Sequence, residues 1–353
     1  AGTDAGVDAG TDAGVDAGTD AGVDAGSDAG VPVMVPQVWY GGDAGDLDFS
    51  ANGELLAVGS NGFVTILRWS GTAWVPLTTV VSSNEVFGDG FGFQVTVSHD
   101  GRTLAVAAPN EASAATGING DQLDRSAPRS GAAYIFELDG GDWTQTTYVK
   151  ASNTAINDHF GEAIALSGDG ATLAVSAKDK SLANPPFQQG AVFVFRRTGG
   201  GWAEDGYLVL SPSISSRLGD AVALSYDGTV LAVGAGADGS GSSGINGDEL
   251  DTSVPVSGAV HIYRRTGQGW SREAYVKARQ PAPFAYFGLS VALSNDGNVL
   301  AIGGHNSSAA MRDVGSATVV RHTPTGWAIE AELLPPVPRR DFFGWSVALS
   351  GDG

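Results

Sequence analysis

Cysteine is absent from the 353-residue chain. Disulfide staples and thiolate metal sites are therefore both excluded. Long apolar runs are missing as well: none reaches the roughly 18 residues that a membrane-spanning helix needs. Charge is sparse, at 16% of residues, and basic charge sparsest, with 19 Lys and Arg against 39 Asp and Glu and a formal net charge of −20. Such a surface repels phosphate backbones, which argues against nucleic acid as a partner. No segment sustains i, i+3, i+4 apolar spacing, and the 52 glycines would interrupt most helical candidates. Catalytic signatures are lacking too: there is no His-Glu-x-x-His, no Gly-x-Ser-x-Gly elbow and no phosphate-cradling Gly-x-x-x-x-Gly-Lys-Ser/Thr loop. The histidines, His99, His159, His261, His305 and His322, share no position and imply no ligand set. The expectation is a chain without catalytic residues.

What is present begins with a tail. Residues 1–30 repeat Ala-Gly-(Thr/Val/Ser)-Asp, placing Asp4, Asp8, Asp12, Asp16, Asp20, Asp24 and Asp28 at a fixed interval. Frequent glycine opposes a helix, and regular like charge with no large side chain leaves nothing to bury, so residues 1–35 read as a disordered, self-repelling linker. Its carboxylates would also suit weak collection of calcium. Such Asp-Ala-Gly tracts resemble the spacers that follow the lipid-bearing cysteine in surface lipoproteins of some Gram-negative bacteria. That resemblance implies a lipid anchor upstream of residue 1 and an extracytoplasmic setting, secreted or on the outer-membrane surface of a bacterium. The chain opens at Ala1 with neither Met nor a signal peptide and stops in mid-motif at Gly353; it reads as a mature or truncated fragment.

From residue 36 onward one sentence is repeated. Phe287-Gly288-Leu289-Ser290-Val291-Ala292-Leu293-Ser294-Asn295-Asp296-Gly297, followed by Val299 to Gly303, recurs from Phe91, Phe160 and Leu218 and begins again at Phe343. A degenerate copy runs from Leu47 to Gly59. Alternation of Val291 and Leu293 with Ser290, Ala292 and Ser294 has the period of a two-faced strand. Ser-x-Asp-Gly then makes a tight turn, with Asp bonding its own backbone and Gly supplying positive φ. The small residues of the returning strand permit close approach of a neighbouring backbone. A second hairpin follows each, from Gly62, Ser130, Gly190, Ser257 and Gly315, and leads to Trp74, Trp143, Trp202, Trp270 and Trp327. Two hairpins per unit predict an all-β β-propeller of four-stranded antiparallel blades, five complete and a sixth begun, over residues 36–353. The copied aromatics are expected to fill the space between blades. Val31 to Tyr40 is a candidate for the strand that closes the ring.

The Phe-Gly opening, the Val-Ala-Leu-Ser strand and the Leu-Ala-Val-Gly return resemble the FG-GAP repeats of integrin α-subunit propellers, and more closely the bacterial FG-GAP or integrin-α-like repeat proteins. The resemblance covers residues 43–353. It implies a seven-bladed propeller, C-terminally incomplete here, used for adhesion or for protein or glycan recognition at a cell surface. Calcium-binding members hold the ion in a longer first-hairpin loop rich in Asp and Asn. Here that loop is only Ser98-His99-Asp100-Gly101 and its equivalents. One carboxylate cannot supply the roughly six to eight oxygens calcium takes, so those sites do not carry over.

A second feature alternates along the chain. Gly117-Ile118-Asn119-Gly120-Asp121-Gln122-Leu123-Asp124 and Gly244-Ile245-Asn246-Gly247-Asp248-Glu249-Leu250-Asp251 are near copies, inserted between the second and third strands of the second and fourth units only. Per-unit insertions on one face of a propeller often form its binding surface. Asn119, Asp121 and Asp124, with Asn246, Asp248 and Asp251, are candidate calcium ligands; the competing readings are Ω-type loops whose Asn and Asp cap their own turns, or a contact surface for a protein or glycan. The unique charges Lys178-Asp179-Lys180 and Arg339-Arg340-Asp341 read as solvated loop charges. The function these features favour is non-catalytic recognition. The alternatives are a glycan hydrolase or lyase on the same scaffold, or a spacer domain of a larger surface protein.

Overall fold

The computed structural model describes residues 44–84, 86–182, 188–210, 216–304, 314–336 and 342–353. The acidic tail, the Val31–Tyr40 segment, His305 and Arg339-Arg340-Asp341 lie outside the described residues. Every named element is a strand. Among the described residues no helix is long and apolar enough to cross a membrane.

Twenty strands form five four-stranded antiparallel sheets, the blades of a propeller, each built from four consecutive strands. Blade 1 holds β1 (Ala44–Phe49), β2 (Leu55–Ser60), β3 (Phe63–Trp69) and β4 (Trp74–Val80). Blade 2 holds β5 (Val95–Val97), β6 (Thr103–Ala108), β7 (Ala132–Asp139) and β8 (Asp142–Val149). Blade 3 holds β9 (Phe160–Leu166), β10 (Thr172–Ala177), β11 (Ala191–Thr198) and β12 (Gly201–Leu208). Blade 4 holds β13 (Val222–Leu224), β14 (Val230–Ala235), β15 (Ala259–Thr266) and β16 (Gly269–Val276). Blade 5 holds β17 (Ser290–Leu293), β18 (Val299–Gly304), β19 (Ser316–Thr323) and β20 (Gly326–Leu333).

The Ser-x-Asp-Gly turns form as their chemistry requires. In blade 2, Ser98 Oγ donates to Asp100 Oδ1 at 2.6 Å and accepts from Thr103 N at 3.0 Å. Asp100 Oδ1 also accepts from Arg102 N at 3.0 Å, and Gly101 turns the chain at φ +66°. The turns of successive blades then join through backbone bonds: Ala51 N to His99 O, His99 N to Gly168 O, Asp169 N to Tyr226 O, Tyr226 N to Asn295 O and Asn295 N to Gly351 O, all between 2.8 and 3.1 Å.

Blades meet at a seam that explains the Phe-Gly motif. Gly131, at the head of the second hairpin of blade 2, pairs in parallel with Phe160, which opens blade 3; Gly190–Leu218, Gly258–Phe287 and Gly315–Phe343 repeat the contact. A Cβ on Gly131 would lie 2.0 Å from Phe160 O, and φ there is +82°, so glycine is required twice over. The Phe ring turns into the core. Phe160 sits edge-on to Phe193 at 5.5 Å and joins Ile135 and Val149 of blade 2 in one buried cluster. Each such ring contributes about 1.5–3 kcal/mol by burial. The expectation that the copied aromatics fill the interblade space holds for Phe91, Phe160, Phe287, Tyr148 and Tyr275, and for Trp202 and Trp327 on the last strands.

Candidate functional site

The connections between second and third strands, and those between blades, leave from the end of the sheets opposite the Ser-x-Asp-Gly turns. In blades 2 and 4 this end carries the insertions. Each insertion folds back over the outer edge of its own blade. Ile118 bridges Val149 and Ile245 bridges Val276, adding a fragment of strand to β8 and to β16. Asn119, at φ +54°, donates its N–H to Tyr148 O at 2.8 Å and accepts Tyr148 N on Oδ1 at 2.8 Å. Asn246 repeats both bonds with Tyr275, at 2.7 and 2.8 Å. An Asn is suited to this place because it tolerates the left-handed backbone and its amide oxygen replaces a missing strand carbonyl.

The aspartates bond locally. Asp121 Oδ1 accepts Leu123 N and Asp248 Oδ1 accepts Leu250 N, both at 2.9 Å. Asp124 Oδ2 accepts Ala114 N at 2.6 Å and the Ser126 hydroxyl at 2.9 Å, while Oδ1 takes Ser126 N at 3.2 Å. The Ala114 N–H, followed by the Ser126 hydroxyl, holds the Asp124 carboxyl below the usual range. Asp251 is held low in the same way, first by the Ser253 hydroxyl and then by Ser253 N–H. All six candidate ligands therefore fall in the two loops, and each has a side-chain oxygen committed to that loop's own backbone or to the strand beside it. Among the described residues no group of three or more His, Asp or Glu side chains is placed to hold a metal ion.

Beneath each insertion lies a buried ion pair that sequence reasoning missed. Lys150 Nζ donates to Glu111 Oε2 at 2.9 Å, Ser130 Oγ at 2.8 Å and Gly131 O at 2.6 Å, and both charged side chains are wholly buried. Tyr148 Oη donates to the same Glu111 oxygen at 3.0 Å. In blade 4, Lys277 Nζ reaches Asp238 Oδ1 at 2.9 Å and Ser257 Oγ at 2.7 Å, with Tyr275 Oη on Asp238 at 3.0 Å. Desolvation pulls both lysines below their ordinary value, opposed by the facing carboxylate. Each ammonium ties the end of the outer strand to residues before and after the insertion, Glu111 and Ser130 in blade 2 and Asp238 and Ser257 in blade 4. The tips stay exposed: Leu123 is 79% and Leu250 64% accessible. A cavity of about 500 Å³ runs between the Asn246–Leu250 arm and Arg272, Glu273 and Tyr275 of β16. Arg272 grips Glu249 there with two bonds of 2.5 and 3.0 Å.

Blade 3, between the two insertions, corrects the reading of Lys178-Asp179-Lys180 as solvated charges. Lys180 and Asp158 pair at 2.6 Å with side chains 5% exposed, and Lys180 also donates to Asn153 O at 2.7 Å. Lys178 pairs with Glu162, and His159 Nδ1 lies 2.9 Å from Asp179 Oδ2, with Arg217 Nη2 3.8 Å from the other oxygen. Asp220, one blade on, accepts Gly236 N at 2.9 Å. Burial raises its carboxyl to about 6, against that bond and the attraction of Lys178 and Arg217. The signal was available in the repeat: Lys180 occupies the place of Glu111, and Val209 the place of Lys150. A reversed charge matched by a lost partner marks a reorganised buried pair rather than a loop exposed to water. Of the other histidines, His261 is fully buried in β15, where desolvation drives it down to about 3, and His322 lies 3.1 Å from Glu273.

Comparison with known proteins bears on the scaffold. Residues 143–195, from the last strand of blade 2 through the third strand of blade 3, match the FG-GAP repeat. No curated protein matches the chain in sequence. Among solved structures, a functionally unknown protein from Desulfotomaculum acetoxidans DSM 771 superposes with a TM-score of 0.52 at 12% identity, over 87% of this chain and 76% of that one. A Bacteroides uniformis ATCC 8492 protein, provisionally named a 6-phosphogluconolactonase, gives 0.50 at 14% identity over 84% and 73%. At such identities the likeness is one of fold.

Proposed function

We propose that this FG-GAP-repeat β-propeller is a non-catalytic recognition module, displayed outside the cytoplasm on its acidic tether, that docks on a protein or glycan through the insertions of blades 2 and 4. The observation that carries the reading is the repetition of a rigid loop with an exposed tip. Two near-identical insertions hold Leu123 and Leu250 out to solvent on backbones locked by their own aspartates and by a buried Lys–acid pair. A preorganised loop loses little conformational entropy on docking, so its contacts count more fully toward affinity. Adhesion at a bacterial surface is the setting that the tail's composition supports.

The test is a protein and glycan array probed with the chain and with Leu123→Asp plus Leu250→Asp, each with and without EDTA. Capture by a defined partner, lost in the variant at an unchanged melting temperature, supports the proposal; an unchanged profile refutes it. The EDTA arm, with Asp121→Ala plus Asp248→Ala, reads whether a divalent cation takes part. One observation favours a second reading, a glycan hydrolase or lyase. The blade 3 charges break the repeat symmetry, and Asp220 is poised near 6, where a carboxyl donates a proton well. Polysaccharide turnover abolished by Asp220→Asn would replace the binding reading.

A further inference from the structure

The opposite end of the sheets, where the Ser-x-Asp-Gly turns converge, holds a cavity of about 330 Å³ lined by turns from all five blades and by the sixth turn at Gly351. Its volume falls within the range of small-molecule sites, roughly 300–1,000 Å³. In five of the six turns the Ser and Asp side chains are bound to one another, and in the first Ser50 is bound to Asn52 in the same way. The second residue of the motif is not committed to the turn, and it varies strongly: Ala51, His99, Gly168, Tyr226, Asn295, Gly351. Three of these supply the chemistry. The His99 and Tyr226 rings meet at 5.1 Å across Gly168. A Cβ on Gly168 would sit 2.3 Å from Tyr226 Cδ2 and 3.0 Å from the His99 ring, so the glycine makes room for the aromatic pair. Tyr226 remains 45% exposed. Asn295 is exposed as well, and among the described residues its side-chain amide has no hydrogen-bond partner. Below this rim Leu166, Leu224, Leu293 and Leu349 form an apolar collar.

The character of the lining selects a ligand class. It contains no Asp, Glu, Lys or Arg, so an ionic ligand would be desolvated without a counter-charge. An aromatic face beside an amide that both donates and accepts suits a molecule with one C–H face and a polar rim. We propose that this mouth binds a neutral hexopyranose, its C–H face stacked on Tyr226 and its hydroxyls bonded to the Asn295 amide. The site is separate from the insertion face and stands or falls independently of it.

The experiment is saturation-transfer NMR and calorimetry on the 353-residue chain, with the methyl pyranosides of glucose, galactose, mannose and N-acetylglucosamine, and indole as a planar aromatic control. At least one glycoside should receive saturation at its ring C–H protons and bind at roughly millimolar affinity. Tyr226→Ala should weaken that binding tenfold or more, while Tyr226→Phe retains it. Gly168→Ala, which forces the rings apart, should also weaken it. Leu123→Asp plus Leu250→Asp should leave it unchanged. Because Tyr226 is exposed, the melting temperature of its variants should match the wild type. No saturable signal from any glycoside, binding of indole alone, or undiminished glycoside binding by Tyr226→Ala would each overturn the assignment.

Discussion

Replacing Lys150 with Met keeps the length of the side chain and removes its ammonium from a site with no access to water. Three bonds of 2.6–2.9 Å vanish, but the larger effect falls on what remains. Glu111 keeps the Tyr148 hydroxyl on Oε2 and Ser113 N on Oε1, both at 3.0 Å, and loses the ammonium in direct contact with it. Stranding a buried charge in this way costs about 3–5 kcal/mol, a large part of the roughly 5–15 kcal/mol that holds a domain together. Lys150→Met with Glu111→Gln removes the charge while still accepting the Tyr148 bond, and should recover at least about half of the loss. Urea unfolding followed by tryptophan fluorescence measures all three proteins. A loss below about 1 kcal/mol for Lys150→Met, or additive losses in the double variant, would refute the claim that this pair anchors the insertion.

Three further outcomes are expected. Asp220 has a folded-state value raised to about 6 from 3.8, so its contribution is favourable at low pH and is lost as pH rises from about 4 to 6; Asp220→Asn should abolish that decline, which amounts to at most about 3 kcal/mol, and a stability–pH curve parallel to the wild type would contradict it. Gly234→Ala places a Cβ 1.9 Å from Gly288 O and should destabilise by about 1–3 kcal/mol, whereas Gly199→Ala, with nothing within 4 Å, should be neutral in the same thermal melts. Calcium at about 5 mM should leave the melting temperature unchanged, because the insertion carboxylates already accept backbone N–H groups; a rise that Asp121→Ala plus Asp248→Ala removes would show that the loops open to take the ion.

The buried pairs also explain why charges that meet in the fold give no local sign of it in the sequence. Lys178-Asp179-Lys180 looks like a solvated loop because nothing local says otherwise. Its burial comes from Asp158 and His159 of the preceding connection and from Arg217 of the following one. The partner of Lys150 is likewise 39 residues away. Repeat alignment alone could have joined them, through the paired changes at Lys180 and Val209. For the insertions, their place between second and third strands and the choice between capping and ligating roles were legible; the bond from Asn119 to the edge of β8 was not, because it depends on the loop folding back over its own blade.

What the amino-acid sequence determined by itself is whatever rests on neighbours within a few residues: strand alternation, the Ser-x-Asp-Gly turn with its internal bonds, and hence twenty strands in units of four. Repetition then made those local statements into an architecture, because a two-hairpin unit that cannot bury both faces alone must stack on its copies. Only the tertiary structure decided the rest. The Gly131–Phe160 seam, the Lys150–Glu111 pair and the His99–Tyr226 contact across Gly168 each join residues from separate hairpins or separate blades. Their energies come from burial and exact distance between parts of the chain that no local pattern relates, so they exist only once the blades are packed.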